Sequence, residues 1–305
     1  MRLFDLHCDT LTEAMNAGLP LRENRLQLSF ARGAAYRPWV QTMAVFVPDT
    51  LRGDAAWHYF CRAEAYLTAQ LHENPEVRRV RSAEDLRALT QTNAAGVMLA
   101  VEGGAVLGGR LERIAQLAEA GVRMLTLTWN GADELGGGAD EPGGLTPFGR
   151  AALPELQKYG IVPDLSHASD ALFWDVCAST NGPLVATHSN SRMVCGFRRN
   201  LTDAQFCEIA RRGGLVGINL YPSFINGRSD ASLDEIYAHI DRFCALGGER
   251  VLALGTDFDG ASMPAELPDI ASLGRLWEYL LRKNMKESLV RGLFFDHAAD
   301  FFCGL

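Results

Sequence analysis

The chain has 305 residues, 48% of them apolar and 22% charged, a composition suited to a soluble protein with a substantial buried core. A formal net charge of −8 leaves no basic surface to follow a phosphate backbone, which argues against nucleic acid or an anionic membrane as partner. Seven cysteines, an odd number with no C-x-x-C pair, argue against a disulfide scaffold, and only three basic residues are lysines: Lys158, Lys283 and Lys286.

The chain opens Met1-Arg2-Leu3-Phe4-Asp5-Leu6-His7, with charges where a signal peptide carries an apolar stretch. No run approaches the ~20 apolar residues of a spanning helix. The expectation is a cytoplasmic protein whose cysteines behave as small hydrophobes.

Short apolar, β-branched runs predict strands at Leu3–Leu6, Thr42–Val47, Gly96–Val101, Met124–Thr128, Ile161–Asp164, Leu184–Thr187, Leu215–Asn219 and Val251–Gly255. Helical stripes run between them, for instance Leu111, Ile114 and Ala118, or Phe206, Ile209 and Ala210. Ser82/Asp85, Thr202/Gln205 and Ser232/Glu235 have the spacing of helix starts in which side chains satisfy orphan backbone donors. Eight strands alternating with helices predict parallel βα units, the number that closes a (β/α)8 TIM barrel. A doubly wound open sheet would place a glycine fingerprint after its first strand, where this chain has His7-Cys8-Asp9-Thr10. Gly136–Gly138 and Gly143–Gly144 fall in a long loop after the fourth predicted strand and read as a flexible active-site loop. One domain over 1–305 is expected, with closing helices over roughly 261–305.

Candidate ligands collect where these strands end, the face on which such a barrel assembles its active site. His7 and Asp9 end the first strand, Glu102 the third, His167 the fifth, His188 the sixth and Asp257 the eighth. In extended chain His7 and Asp9 point the same way, as two ligands of one ion must. Imidazole and carboxylate groups suit zinc, and their gathering at one face is informative where each alone is not. His58, His72, His239 and His297 fall in helical stretches and read as ordinary helix histidines. No H-E-x-x-H helix or G-x-S-x-G elbow occurs. Ser166 and His167 are adjacent, so strand alternation turns them to opposite faces. The same alternation turns Cys8 away from the ligands flanking it.

Several strings, in order, resemble the renal or membrane dipeptidase family of the amidohydrolase-type metal-dependent barrels. They are His7-Cys8-Asp9, Val101-Glu102-Gly103-Gly104, Leu125-Thr126-Leu127-Thr128, Gly144 to Gly149, Asp164-Leu165-Ser166-His167, Thr187-His188-Ser189, Arg198-Arg199-Asn200 and Asp257-Phe258-Asp259-Gly260. The resemblance implies a zinc dipeptidase with two Zn2+ per chain. His7 and Asp9 would hold one ion, His167 and His188 the other, and Glu102 would bridge them. Many related barrels bridge with a carboxylated lysine, but no lysine here lies at a predicted strand end. A water shared by two zinc ions loses its proton near pH ~7 rather than ~16, giving hydroxide to attack the peptide carbonyl. Asp257 is the candidate to take that proton and deliver it to the leaving amine.

By the same resemblance Arg199 would clamp the free carboxylate of a dipeptide, which a guanidinium fork fits bidentately, and Tyr221 would touch substrate. The substrates implied are dipeptides, L-Xaa-D-Xaa pairs among them, and the implied assembly is a homodimer. One departure stands out. Where the renal enzymes carry a substrate-binding histidine after Leu-Thr-Leu-Thr, this chain has Trp129 and Asn130. Trp129 is expected to make the pocket more apolar, with Asn130 assisting at the substrate. The alternatives are another amidohydrolase-type hydrolase, or a barrel that keeps its metal but has lost catalysis and serves as a binding protein.

Overall fold

The computed structural model describes all 305 residues. Nine strands form in chain order: β1 (Leu3–Asp5), β2 (Trp39–Phe46), β3 (Val77–Val80), β4 (Ala95–Glu102), β5 (Val122–Thr126), β6 (Val162–Asp164), β7 (Val185–Ala186), β8 (Leu215–Ile218) and β9 (Leu252–Leu254). Every pairing is parallel. The order β2-β1-β9-β8-β7-β6-β5-β4 closes because β4 also pairs with β2 along its whole length, from Trp39↔Ala95 to Phe46↔Glu102. The result is the eight-stranded (β/α)8 barrel.

The ninth strand, β3, lies outside the closure and was not expected from sequence. It pairs only with the first half of β4, from Val77↔Ala95 to Val80↔Met98, and β5 takes over that edge from Leu99 onward. Its four residues, Val-Arg-Arg-Val, are too short and too polar at the centre to give a periodic signal.

Two buried clusters hold the barrel. Inside, Phe4, Leu6, Val40, Met98, Met124, Val185 and Leu215 pack with Phe295, Ala298 and Phe302 from the C-terminal helical segment. Phe4 stacks on Phe302 with ring centroids 5.5 Å apart. The closing helices therefore plug the barrel end opposite the candidate ligands. A larger cluster lies between the strands and the surrounding helices, joining Met43, Leu99 and Leu125 to residues such as Leu67, Ile114 and Phe206. Each such side chain contributes about 1.5–3 kcal/mol when fully buried.

The helix signals are realised as cap geometry. Ser82 accepts from the Asp85 amide at 3.1 Å, and Thr202/Gln205 and Ser232/Glu235 form complete capping boxes. The glycine loop after β5 folds back on itself. A Cβ at Gly137 would collide with the Gly143 backbone and one at Gly138 with the Gly131 carbonyl, so these glycines permit close backbone packing. No helix is long and apolar enough to cross a membrane.

Candidate active site

Strand ends deliver the candidate ligands to one point. Glu102 is the last residue of β4, His188 follows β7 by two residues, and His167 and Asp257 follow β6 and β9 by three. β1 stops at Asp5, before His7, yet backbone bonds keep the next residues in place. Asp9 N donates to Phe258 O at 2.9 Å and Asp257 N to His7 O at 3.2 Å. His7 Nε2 then lies 3.5 Å from Asp9 Oδ2, 3.7 Å from Glu102 Oε2 and 3.9 Å from Asp257 Oδ1. On the other side, His167 Nε2 and His188 Nε2 lie 2.7 and 3.4 Å from Glu102 Oε1, and 3.0 Å from one another. Glu102 therefore turns one oxygen to each half of the cluster.

Both outer imidazoles have a fixed tautomer. Asn130 Oδ1, an acceptor, lies 2.9 Å from His167 Nδ1, so that nitrogen carries the proton and Nε2 keeps its lone pair. Thr187 Oγ1 gives its single proton to Asp164 Oδ2 at 2.6 Å and so accepts from His188 Nδ1 at 2.9 Å. The Nε2 lone pairs of His167 and His188 thus face the Glu102 carboxylate. His7 Nε2 and Asp9 Oδ1 are buried with no hydrogen-bond partner. Such a gathering of acceptors is what a cation satisfies, and imidazole with carboxylate is the donor set zinc takes. The residues present fit a pair of divalent ions. All three lysines are exposed, so no carboxylated lysine can serve as the bridge.

The electrostatics follow from burial and crowding. Burial opposes charge on His7, but Glu102, Asp9 and Asp257 outweigh it and lift the imidazole to about 10. His167 and His188 are pushed well below the ordinary histidine value by burial, with Arg199 and His7 adding repulsion. Burial also raises Glu102 and Asp257, each further raised by Asp9 and partly restrained by His7. Asp257 Oδ2 accepts from Asn219 Nδ2 at 3.0 Å, which leaves Oδ1 directed at His7. The Asp257 backbone is left-handed, with φ of 65°, a sparsely populated conformation for a residue with a side chain. Gly260 closes the same turn, and a Cβ there would strike the carboxylates of Asp9 and Asp257.

The cavity over this cluster measures about 550 Å3. Asp9, Glu102, His167 and Asp257 form part of its lining, and Phe46, Trp129, Tyr221 and Phe224 make it aromatic. Trp129 meets Phe46 edge-on at 4.9 Å and lies 6.2 Å from the His167 ring. Asn130 also lines the cavity, although its amide oxygen is engaged by His167. Arg198 and Arg199 separate clearly. Arg198 is exposed and pairs with Asp140. Arg199 is 6% exposed, sits over the Phe224 ring at 5.2 Å, and has no partner for any of its three guanidinium nitrogens. Burial lowers its pKa to about 10, still charged at neutral pH, with Glu102 and Asp257 opposing the shift.

The remaining candidates have ordinary roles. His58 and His72 are exposed on a helix. His239 accepts from Ser191 N and bonds Ile225 O, and His297 bonds Leu252 O. Ser166 donates to Asp164 at 2.7 Å, and Cys8 is in the hydrophobic core. Sequence reasoning did not single out Asn219, Thr187, Asp164 or Asp5. Asp164, Thr187 and Asn219 each end a predicted strand, and Asp164 and Thr187 also stand in the family strings beside a candidate ligand, the signals that could have marked them.

A family model described as membrane dipeptidase, peptidase family M19, matches residues 1–298. An uncharacterized protein of the pqqA 5′ region of Klebsiella pneumoniae is 36% identical over 217 residues, 67% of this chain and 80% of its own. Dipeptidase 3 of Rattus norvegicus is 28% identical over 228 residues, 72% of this chain; the match spans 46% of that protein, about half its length. A solved dipeptidase described as a metallopeptidase of family M19 superposes with a TM-score of 0.94 at 25% identity, covering 99% of this chain and 98% of that one. A metallopeptidase of Rhodobacter sphaeroides, solved with a phosphinate mimic of the dipeptide L-Ala-D-Ala, has the same fold, with a TM-score of 0.94 at 24% identity over 99% and 98% of the two chains. The chain belongs to the membrane dipeptidase family, peptidase family M19, and its barrel is that of a metal-dependent dipeptidase.

Proposed function

We propose that the protein hydrolyses dipeptides, L-Xaa-D-Xaa pairs among them, using two zinc ions held by His7, Asp9, Glu102, His167 and His188. The observation that carries this reading is the placement of Glu102, with one oxygen toward His7 and the other toward His167 and His188. A bound pair of zinc ions would supply an activated water and a Lewis acid for the scissile carbonyl.

The chain's own residues do the rest. Arg199 is a buried cation with its whole guanidinium fork free, and a substrate's terminal carboxylate completes it. A longer peptide has no carboxylate at that point, which restricts cleavage to dipeptides. Asp257, held by Asn219 through one oxygen, takes a proton from the attacking water on the other and returns it to the departing amine. Trp129, Phe46 and Tyr221 supply apolar walls for the substrate side chains.

The test is a metal assay followed by a panel of dipeptides, L-Ala-D-Ala included, before and after chelation and Zn2+ add-back. About two zinc per chain with chelator-sensitive cleavage supports the reading. Fewer than about one bound metal in zinc-replete buffer, or no cleavage of any dipeptide, overturns it.

A further inference from the structure

Asp164 is a buried carboxylate that the reaction itself does not use. Five donors converge on it: Ser166 N, Ser166 Oγ and Thr187 N on Oδ1, and the hydroxyls of Thr126 and Thr187 on Oδ2. It is 1% exposed at the end of β6, and Thr187 is 1% exposed just past β7. The proton of Ser166 Oγ goes to Asp164 at 2.7 Å and that of Thr187 Oγ1 at 2.6 Å. Their mutual contact at 3.2 Å has no proton left to share. The lone pair of Thr187 Oγ1 then has one donor within reach, His188 Nδ1 at 2.9 Å.

We propose that Asp164 and Thr187 form a positioning relay that holds His188 as its Nδ1–H tautomer, aims Nε2 at Glu102, and thereby sets the affinity of one metal position. This rests on the two-ion reading given above. A hydroxyl anchored on a carboxylate acts here as a one-way acceptor, and partners of this kind behind a metal-binding imidazole fix both its proton and its orientation. The other half of the site is built differently. There Thr256 also donates to a buried aspartate, Asp5, at 2.6 Å, but that pair reaches His7 through its backbone at 3.5 Å. Loss of the Thr187 hydroxyl should therefore affect one metal position and spare the other.

The experiment compares wild type, Thr187→Val and Thr187→Ser. Each is stripped of metal, checked for native melting, and titrated with Zn2+ against a chromophoric chelator. Thr187→Ala replaces the valine variant if that one does not fold. The relay predicts that Thr187→Val binds one of its two ions about 10–100-fold more weakly and the other as in wild type, with Thr187→Ser restoring wild-type binding. Histidine 15N spectra of the metal-free proteins should show the His188 Nδ1–H tautomer in wild type and Thr187→Ser and its loss in Thr187→Val. Wild-type affinity at both positions in Thr187→Val overturns the relay, as does Thr187→Ser binding no better than Thr187→Val. A wild type that binds only one ion overturns the two-ion reading itself.

Discussion

Glu102 Oε1 lies 2.7 Å from His167 Nε2, a nitrogen whose proton is held on the opposite side of the ring by Asn130. Two acceptors at that distance repel unless a metal ion or a proton lies between them, and the same carboxylate turns its second oxygen to His7. The barrel thus sets one carboxylate between the imidazoles and brings the other candidate ligands to it. β4 makes this possible because it runs its full length beside β2 and carries Glu102 to the rim.

Arg199→Met removes a buried cation whose fork has no protein partner. KM for dipeptides should rise by roughly 10²-fold or more, since charge-assisted bonds are each worth about 1.5–3 kcal/mol. The same variant should change KM for dipeptide C-terminal amides far less. Steady-state kinetics on matched acid and amide substrates measure both, and equal effects would remove the carboxylate role.

Asp257→Asn keeps the shape of the group and the Asn219 contact but removes the base. The expected result is a kcat lower by about 10²–10⁴, the usual range for losing a general acid–base, with zinc content unchanged. A variant with full turnover would assign the proton to another group. A variant that loses its zinc would make Asp257 a ligand instead.

Gly260→Ala tests how tightly the site is packed. A Cβ there strikes the carboxylates of both Asp9 and Asp257, whereas Gly274 has open space around its Cα. Gly260→Ala should lower kcat on the order of 10²-fold through misplacement of these groups, and Gly274→Ala should leave it unchanged. Equal kinetics in the two variants would contradict the geometry.

Asp133 offers a test by pH. Burial, with Glu134 adding to it, raises its carboxyl from 3.8 to about 7, although Leu135 and Gly136 amides donate to it. A carboxyl that binds its proton more tightly when folded makes stability fall as pH rises from 3.8 toward about 7. Asp133→Asn keeps an acceptor for both amides and removes this penalty. Its melting temperature should exceed that of wild type at pH 8, and the gap should close by pH 4. A gap independent of pH would contradict the assignment.

Much of this was legible because periodicity and spacing report on exposed physical choices. The eight barrel strands are continuous apolar runs buried on both faces, and their ends carry the candidate site residues, so strand ends located His7, Asp9, Glu102, His167, His188 and Asp257 together. β3 was not legible, since Val77–Val80 pairs with only half of one neighbour and has arginines at its centre. Thr187, Asn219 and Asp164 were hidden for another reason. Their importance depends on which side-chain atom faces which, and hydroxyls and amides near strand ends are common. Asn130 shows the same limit: its position in the cavity wall was anticipated, but the bond to His167 Nδ1 exists only in three dimensions. Arg198 and Arg199 differ by one position in sequence, and only burial separates the exposed, paired guanidinium from the buried, free one.

The central claim, that two ions bridged by Glu102 act together, is tested most directly by titrating metal-depleted protein with Zn2+ while following dipeptide cleavage. The account predicts that activity returns with the second equivalent and saturates at about two zinc per chain. Full activity at about one equivalent, with no further gain on adding more, would contradict it.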